Sequence, residues 1–431
     1  MEIKAKKIDS ANAEIEATIL IDEVNKNIEK IAKELSKTAK VQGFRKGKVP
    51  MEIVKKQYGQ KLLEDAEAEA LRSVLSQGLD ELEVSNESLI GEPTITKFDK
   101  SDDKIEVSVK VAMRPTVEVN EAAQHVPDFT KPEVSDADVD ARINDLAQNQ
   151  APLEDVKENR KMKEGDVAVI DFEGSVDGKV FEGGEGKDFA LTLGSGQFIP
   201  GFEEQLIGIK RDEEVVVKVT FPDSYGGDLA GKEAEFKVKV NKIQVKEDVA
   251  INDELAKKMM PGEENATLEE LKSQVKKQLE TEALAKLYNE DLKPQLLETL
   301  VDSLKFDLPE FVIEQEIDMA LNKKAGTMSE DEITELRGND AMLLELRETF
   351  REDALRSVKA TFIIDSLAQD KGVKIEEQEI MQTIYYEAMQ MGQDPQKTYE
   401  QYKDAGYLPA IQMSIVEDRV LTTMLNEKIE A

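Results

Sequence analysis

Apolar and polar residues alternate along Met1–Ile19, and that two-residue period predicts a strand to about Leu20. The period then lengthens: Val24, Ile28, Ile31 and Leu35 recur at helical spacing and predict a helix from about Asp22 to Lys40. After a loop, more helix is expected from Met51 to about Val84, interrupted near Tyr58-Gly59, followed by strands Ser88–Phe98 and Lys104–Ala112 around an acidic turn. Residues 113–160 carry Pro115, Pro127, Pro132 and Pro152 and one short helix near Asp136–Gln148, which reads as an extended arm or linker. From Glu164 to Lys246 the apolar runs shorten to Val167–Phe172, Val215–Phe221 and Phe236–Val245. That window holds 13 of the 24 glycines and 7 of the 14 phenylalanines, so a small β domain with tight turns is expected. The remainder is helical in pattern: Thr267 and Glu270 form a capping box, Leu268, Leu271, Val275 and Leu279 make a stripe behind it, and Pro294 and Pro309 punctuate later helices.

These changes of texture predict a multidomain α+β chain with an N-terminal α/β domain at 1–112 and an arm or linker at 113–160. A β-rich domain at 161–246 and an all-helical region at 247–431 complete it. A length of 431 residues suits about three cores. No stretch approaches the roughly 20 apolar residues that span a bilayer, so no membrane partner is expected. The start lacks the apolar run and cleavage site of a secretory signal, which points to a cytoplasmic protein.

The chain has no cysteine and one histidine, His125, which removes disulfide and thiolate chemistry and leaves zinc, iron–sulfur and histidine-base chemistry almost nothing to work with. A carboxylate-only magnesium site stays open, but there is no glycine-rich phosphate loop to go with it, and neither a cofactor, a metal nor a nucleotide is expected. An enzyme built from these residues works with apolar walls and hydrogen bonds.

The net charge of −34 repels nucleic acid on average. The average hides residues 26–61, where 11 basic residues face 3 acidic ones, a local +8. A basic patch on an acidic body draws a polyanion to one place and orients the molecule as it docks. The plain alternative is a solvated lysine-rich helix face. Within this segment, Gly43-Phe44-Arg45-Lys46-Gly47-Lys48-Val49-Pro50 sits between two helices. Gly43 and Gly47 permit a tight turn, Pro50 suits the first turn of a helix, and Phe44 is available to enter a partner's pocket or to tuck back onto the domain.

The octet matches the Gly-Phe-Arg-any-Gly-Lys-any-Pro signature of ribosome binding in the trigger factor family of bacterial chaperones, and the chain resembles that family. The resemblance implies that Phe44, Arg45 and Lys48 contact a large-subunit protein and adjacent rRNA at the tunnel exit, with Lys46 adding only charge. It also implies nascent and unfolded polypeptides as partners, a cradle for them in the helical region, a homodimer off the ribosome as a further state, and links to protein transport and cell division.

Residues 167–227 resemble the FKBP-type peptidyl-prolyl isomerase domain in the order of their Phe-Glu-Gly, Asp-Gly, Leu-Gly, Ile-Pro-Gly-Phe-Glu and Asp-Ser-Tyr-Gly turns. Carried over residue by residue, the pocket comprises Phe172, Phe181, Glu182, Phe189, Phe198, Ile199, Phe202 and Tyr225, with Phe236 or Val238 closing the last strand. The Ile199 N–H and the Tyr225 hydroxyl correspond to the groups that hydrogen-bond substrate in that family. Phe202 stands where FKBP domains usually carry tryptophan, and the loop from Tyr225 to Phe236 is short, so macrolide inhibition does not follow. The bland reading makes the same phenylalanines simple core.

Ten of the fourteen methionines follow residue 250, and such flexible thioethers suit a surface that accepts many apolar partners, although methionine also serves as ordinary helix core. The combined expectation is an ATP-independent, ribosome-associated chaperone that catalyses cis–trans isomerisation of X–Pro bonds. The alternatives are a ribosome-docked holdase with an inert isomerase domain and, disfavoured by the N-terminus, an exported isomerase-chaperone.

Overall fold

A computed structural model of the chain describes residues 1–39, 41, 44, 49–176, 178–222, 229–247, 249–263 and 265–430. They divide into two units, Met1–Phe129 together with Leu287–Ala431, and Thr130–Lys286.

The first unit begins with β1 (Glu2–Lys7) paired antiparallel to β2 (Asn12–Leu20), so the stretch expected as one strand is a hairpin. Asp9 makes the reversal: its carboxylate accepts the Ala11 N–H at 2.8 Å and the Asn12 amide at 2.9 Å, a side-chain-built turn that uses neither glycine nor proline. Ala13, Ile15, Ala17 and Ile19 form the buried face of β2, against which α1 (Ile21–Thr38) and α2 (Met51–Leu82) pack. The break expected near Tyr58-Gly59 is present as a kink, with Tyr58 at φ −116° and ψ 15° inside α2. β3 (Thr94–Lys100) and β4 (Lys104–Ala112) complete a sheet of order β1-β2-β4-β3. β3 starts later than the expected Ser88, because a 3-10 turn at Asn86–Ser88 and a left-handed Gly91 (φ 70°) break the extended chain.

In the second unit, α3 (Asp136–Gln150) opens on a Ser135/Asp138 capping box. An antiparallel five-stranded sheet follows: β5 (Leu153–Asp155), β6 (Val167–Val176), β7 (Lys179–Thr192), β8 (Glu214–Thr220) and β9 (Glu233–Lys246). β9 organises it. One edge pairs with β6, while the other takes β8 along Glu233–Lys239 and β5 along Gln244–Lys246. The alternating residues Ala234, Phe236, Val238 and Val240 face inward, and α4 (Phe202–Leu206) packs on that face with Phe202 and Leu206 buried. Beyond the sheet, α5 (Asp253–Met259) and α6 (Leu268–Leu287) enclose α3 in a core of Val139, Ile143, Leu255, Leu271 and Val275. The expected capping box opens α6, with both the Thr267 N–H and hydroxyl on the Glu270 carboxylate.

The rest of the first unit is helical: α7 (Lys293–Ser303), α8 (Glu310–Ala325), α9 (Glu330–Arg337), α10 (Asp340–Asp370), α11 (Glu377–Gln390), α12 (Pro395–Asp404) and α13 (Leu408–Glu430). Helices α8 and α10 share Ile313, Ile317, Ala354, Val358 and Phe362. Arg351 ties them further through Glu310 at 3.0 Å and Glu314 at 2.5 Å. The β1–β2 turn is joined to the start of α8. Ser10 donates its N–H and hydroxyl to Asp307 at 3.0 and 2.9 Å, and the Asn12 amide donates to the Leu308 carbonyl at 2.9 Å. The Glu310 N–H donates to Asn12 at 2.9 Å. Among the described residues, no helix is long and apolar enough to cross a membrane.

Candidate active site

Seven phenylalanines converge in the second unit. β6 supplies Phe172, β7 supplies Phe181 and Phe189, the loop before α4 supplies Phe198, α4 supplies Phe202, the residue after β8 is Phe221, and β9 supplies Phe236. The ring centroid of Phe172 lies 6.0 Å from Phe189, 5.5 Å from Phe198 and 6.3 Å from Phe236. Phe198 lies 5.4 Å from Phe189 and 4.6 Å from Phe202, while Phe202 lies 5.3 Å from Phe236. Phe181 joins through Phe236 at 6.0 Å and Phe221 at 5.7 Å. Most contacts are edge-to-face, the arrangement that aligns a ring's positive edge with its neighbour's negative face.

Glycine makes room for the rings. Phe172 pairs across the strands with Gly186, where a Cβ would fall 2.6 Å from its ring, and Gly174 is opposite Phe236, where a Cβ would fall 2.5 Å away. The glycine excess of this window is therefore partly a packing requirement of the rings.

Burial grades across the cluster. Phe202 is fully buried and Phe236 nearly so, Phe172, Phe181, Phe198 and Ile199 are half-buried, and Phe189 is 41% exposed. The result is a bowl-like gradient of burial, closed at Phe202 and open at Phe189. Val238 is also buried and pairs with Phe172, so both residues weighed for the last strand face the bowl's core. Phe221, absent from the expected set, is the seventh ring and nearly fully buried; its position at the end of the Val215–Phe221 run was the available signal. Glu182 is a residue of β7, and Tyr225 lies outside the described residues.

The Phe202 N–H donates to the Ile199 carbonyl at 3.0 Å and the Phe198 N–H donates to Glu203 at 3.2 Å, but the Ile199 N–H between them has no acceptor among the described residues. A free donor beside apolar walls is suited to a peptide carbonyl.

Sequence reasoning missed Glu203. It is 5% exposed and accepts the Gly194 N–H at 2.8 Å, the Gly196 N–H at 3.1 Å, the Phe198 N–H at 3.2 Å and the Ser195 hydroxyl at 3.2 Å. Burial pushes its carboxyl up, but the N–H groups of Gly196, Phe198 and Gly194 outweigh burial and hold it below the usual carboxylate range. On the sequence it reads as one of two acidic residues in a short exposed helix.

A groove of about 910 Å³ also crosses the four strands at Asp171–Glu173, Glu185–Lys187, Glu214–Val216 and Lys237–Lys239. Mixed carboxylates and lysines with one aromatic make it a solvated sheet surface rather than an apolar receptor. No group of three or more His, Asp or Glu side chains among the described residues is placed to hold a metal ion.

The N-terminal helix pair carries the second set of expected residues. Ala32, Val49, Val54 and Leu62, with Val41 and Tyr58 against them, pin both ends of the connection between α1 and α2. Phe44 stands outside that cluster and is 42% exposed, and the Pro50 carbonyl receives the N–H groups of Ile53 and Val54 at the start of α2. Gly43, Arg45, Lys46, Gly47 and Lys48 lie outside the described residues. On the flanking helices Lys26, Lys30, Lys33, Lys37, Lys56 and Lys61 are exposed and form no ion pair among the described residues, whereas Lys55 pairs with Glu29 at 3.6 Å. The local positive field is left largely uncompensated.

Residues 158–241, which contain the ring cluster, match the family model of FKBP-type peptidyl-prolyl cis-trans isomerase. Residues 1–146 match that of bacterial trigger factor protein, and residues 267–426 that of the trigger factor C-terminus. The trigger factor of Sulfurimonas denitrificans is 62% identical over 431 residues, covering all of both chains. The chain belongs to the trigger factor family. Trigger factor from a Nitratiruptor species is 50% identical, covering 100% of this chain and 99% of that one. A solved trigger factor structure, from work on promiscuous substrate recognition in folding and assembly, matches at a TM-score of 0.62 with 22% identity, covering 99% and 100% of the two chains, and supports the fold. As a trigger factor with an FKBP-type domain, the protein is a chaperone of protein folding that acts on unfolded polypeptides and carries a peptidyl-prolyl isomerase.

Proposed function

We propose that the phenylalanine bowl is the isomerase site, that Phe172, Phe181, Phe189, Phe198, Phe202 and Phe236 form its walls, and that the Ile199 N–H holds the peptide carbonyl. Glu182 and Tyr225 complete the set. The observation that carries this reading is the Ile199 N–H, which has no acceptor among the described residues, beside rings that grade from exposed to fully buried.

Rotating an X–Pro amide means losing resonance across a barrier of roughly 18–20 kcal/mol. The planar amide is more charge-separated than the twisted one. Aromatic walls that strip water from the amide therefore favour the twisted form, while one N–H keeps the chain in register. No proton is transferred, so the site needs no acid, base or nucleophile.

The same proposal places ribosome docking at Gly43–Pro50, with Phe44, Arg45 and Lys48 as contacts, Lys46 adding charge, and Gly43, Gly47 and Pro50 shaping the turn. Its support is the exposed Phe44 flanked by six lysines that form no ion pair among the described residues. Docking domain, arm, isomerase domain and helical chaperone region follow the boundaries 1–112, 113–160, 161–246 and 247–431, and the protein works in the cytoplasm. Exposed Met319, Met389, Met391, Tyr386 and Tyr407 suit the helical region to changing apolar clients. Weak sites on one chain reinforce each other through effective concentration.

Co-sedimentation with ribosomes tests the docking. The parent pellets at low salt and less at high salt, and Phe44→Ala/Arg45→Ala/Lys48→Ala stays in the supernatant. Equal pelleting of the two refutes it.

A further inference from the structure

The bowl's walls are apolar, yet one of them is held by a buried charge. We propose that Glu203 is a positioning residue of the isomerase site. It fastens the loop Gly194–Phe198 to α4, so that the Phe198 ring and the adjoining Ile199 N–H are in place before a peptide arrives. The inference rests on reading the bowl as the site.

The loop has little else to hold it. Gly194 (φ 88°) and Gly196 (φ 68°) take left-handed conformations, and the N–H groups of alternate residues turn toward a common centre. Three of those N–H groups, from Gly194, Gly196 and Phe198, end on the two oxygens of one carboxylate, and the Ser195 hydroxyl ends there as well. Glu203 directly follows Phe202, the floor of the bowl, and the Phe198 ring stacks on Phe202 at 4.6 Å. The carboxylate therefore ties the rim to the floor by a route independent of the rings.

An ionised carboxylate is needed because it is acceptor on both oxygens. Oε2 takes Gly194 and Gly196, and Oε1 takes Ser195 and Phe198. Glutamine has the same shape but turns an NH₂ toward one of these pairs. The less costly flip faces it to Ser195, whose hydroxyl can reverse and accept. The Phe198 N–H then loses its partner, next to the donor proposed to hold substrate.

The test uses the full chain and a Phe-Pro peptide whose cis–trans exchange is followed by NMR. In Glu203→Gln, kcat/KM falls between roughly ten- and a hundredfold, mostly in kcat, as expected when a reacting geometry is loosened rather than a binding surface removed. The thermal midpoint of the isomerase domain stays within a few degrees. Glu204→Gln, on the exposed side of α4, keeps the parent rate. Amide exchange adds a readout on the parent that stands even if Glu203→Gln fails to fold. The Gly194, Gly196 and Phe198 amides exchange on the order of a hundredfold more slowly than that of Ile199. Equal rates there, or a folded Glu203→Gln with kcat/KM within twofold of the parent, overturn the proposal. A parent that does not accelerate exchange, or whose rate is untouched by Phe198→Ala, instead overturns the reading of the bowl and is told apart by those two controls.

Discussion

Truncating Phe202 to alanine should loosen the isomerase domain and leave the N-terminal sheet as it was. The ring is fully buried, 4.6 Å from Phe198 and 5.3 Å from Phe236 between centroids. Removing a phenyl group leaves about 100 Å³ of space, and ~24 cal/mol per Å³ of unfilled cavity gives about 2.4 kcal/mol. The lost transfer of the ring adds about 2 kcal/mol, for a total near 4 kcal/mol, within the range of buried phenylalanine truncations. A change of ~4 kcal/mol multiplies the opening equilibrium by about a thousand. The chain has no tryptophan to report unfolding by fluorescence, so amide hydrogen exchange on the intact protein is the suitable assay. Exchange of the Val217 and Val240 amides should speed by about a thousandfold. The amides of Ile105 and Val107, in the core of the other unit, should not change. Acceleration under tenfold at Val217 and Val240 would mean that the floor of the bowl is not what holds the sheet. Equal acceleration in both units would mean that they open together, and either result refutes the reasoning.

Two further outcomes follow from the same cluster and its surroundings. Phe189→Ala removes a 41% exposed ring from the rim, so stability should fall by less than about 1.5 kcal/mol while kcat/KM for the Phe-Pro peptide falls about tenfold; a stability loss like that of Phe202→Ala, measured by denaturant titration, would contradict the rim assignment. Asp166 is 5% exposed and bound by both Arg160 nitrogens at 2.6 and 2.8 Å and by the Lys163 N–H at 2.8 Å. Burial raises its carboxyl, but those partners outweigh burial and depress it below the ordinary value. A depressed folded-state value contributes stability above the unfolded value of about 3.9 that is lost as pH falls below it. Asp166→Asn should therefore cost about 2 kcal/mol at pH 7 and show a shallower loss of stability between about pH 5 and pH 3 than the parent. Parallel pH profiles in urea titrations would show that Asp166 is not the group being titrated.

Much of this molecule could be read from local pattern. The kink at Tyr58, the Thr267/Glu270 box and the bounds of β4 follow from period and capping chemistry, which depend on neighbours a few residues apart, whereas the ring set came from the family resemblance. The misses share a different cause. The β1–β2 hairpin was missed because its turn is built by the side chain of Asp9 without glycine or proline, although the alternation breaks at Lys6-Lys7 and Asp9-Ser10. β3 was placed too early because Gly91 and the Asn86–Ser88 turn interrupt a stretch whose composition still suits a strand. Phe221 belonged to a run already recognised as a strand, and only the fold shows that its ring reaches Phe181. Glu203 had no local signal at all: its partners precede it by five to nine residues in a loop whose N–H directions depend on left-handed glycines. Nor could periodicity show that Met1–Phe129 shares a unit with Leu287–Ala431, since that depends on contacts between distant segments, polar at Ser10 and Asn12 and apolar where Ile90 and Val117 meet the Ile313/Phe362 cluster.

The attachment of Ser10 and Asn12 to Asp307, Leu308 and Glu310 has a consequence in time. The partners are 296–298 residues apart along the chain. At roughly 5–20 residues per second, an N-terminal hairpin that has left its own ribosome waits on the order of 15 to 60 s before the residues that clasp it are made. Throughout that interval the Ser10 and Asn12 groups that later meet Asp307, Leu308 and Glu310 rest on water and on Asp9. Meanwhile the intervening unit, whose contacts lie within Thr130–Lys286, is free to form first. A chaperone of unfolded polypeptides is thus itself a slow client, the turn of its first hairpin settled only when the last third of the chain emerges.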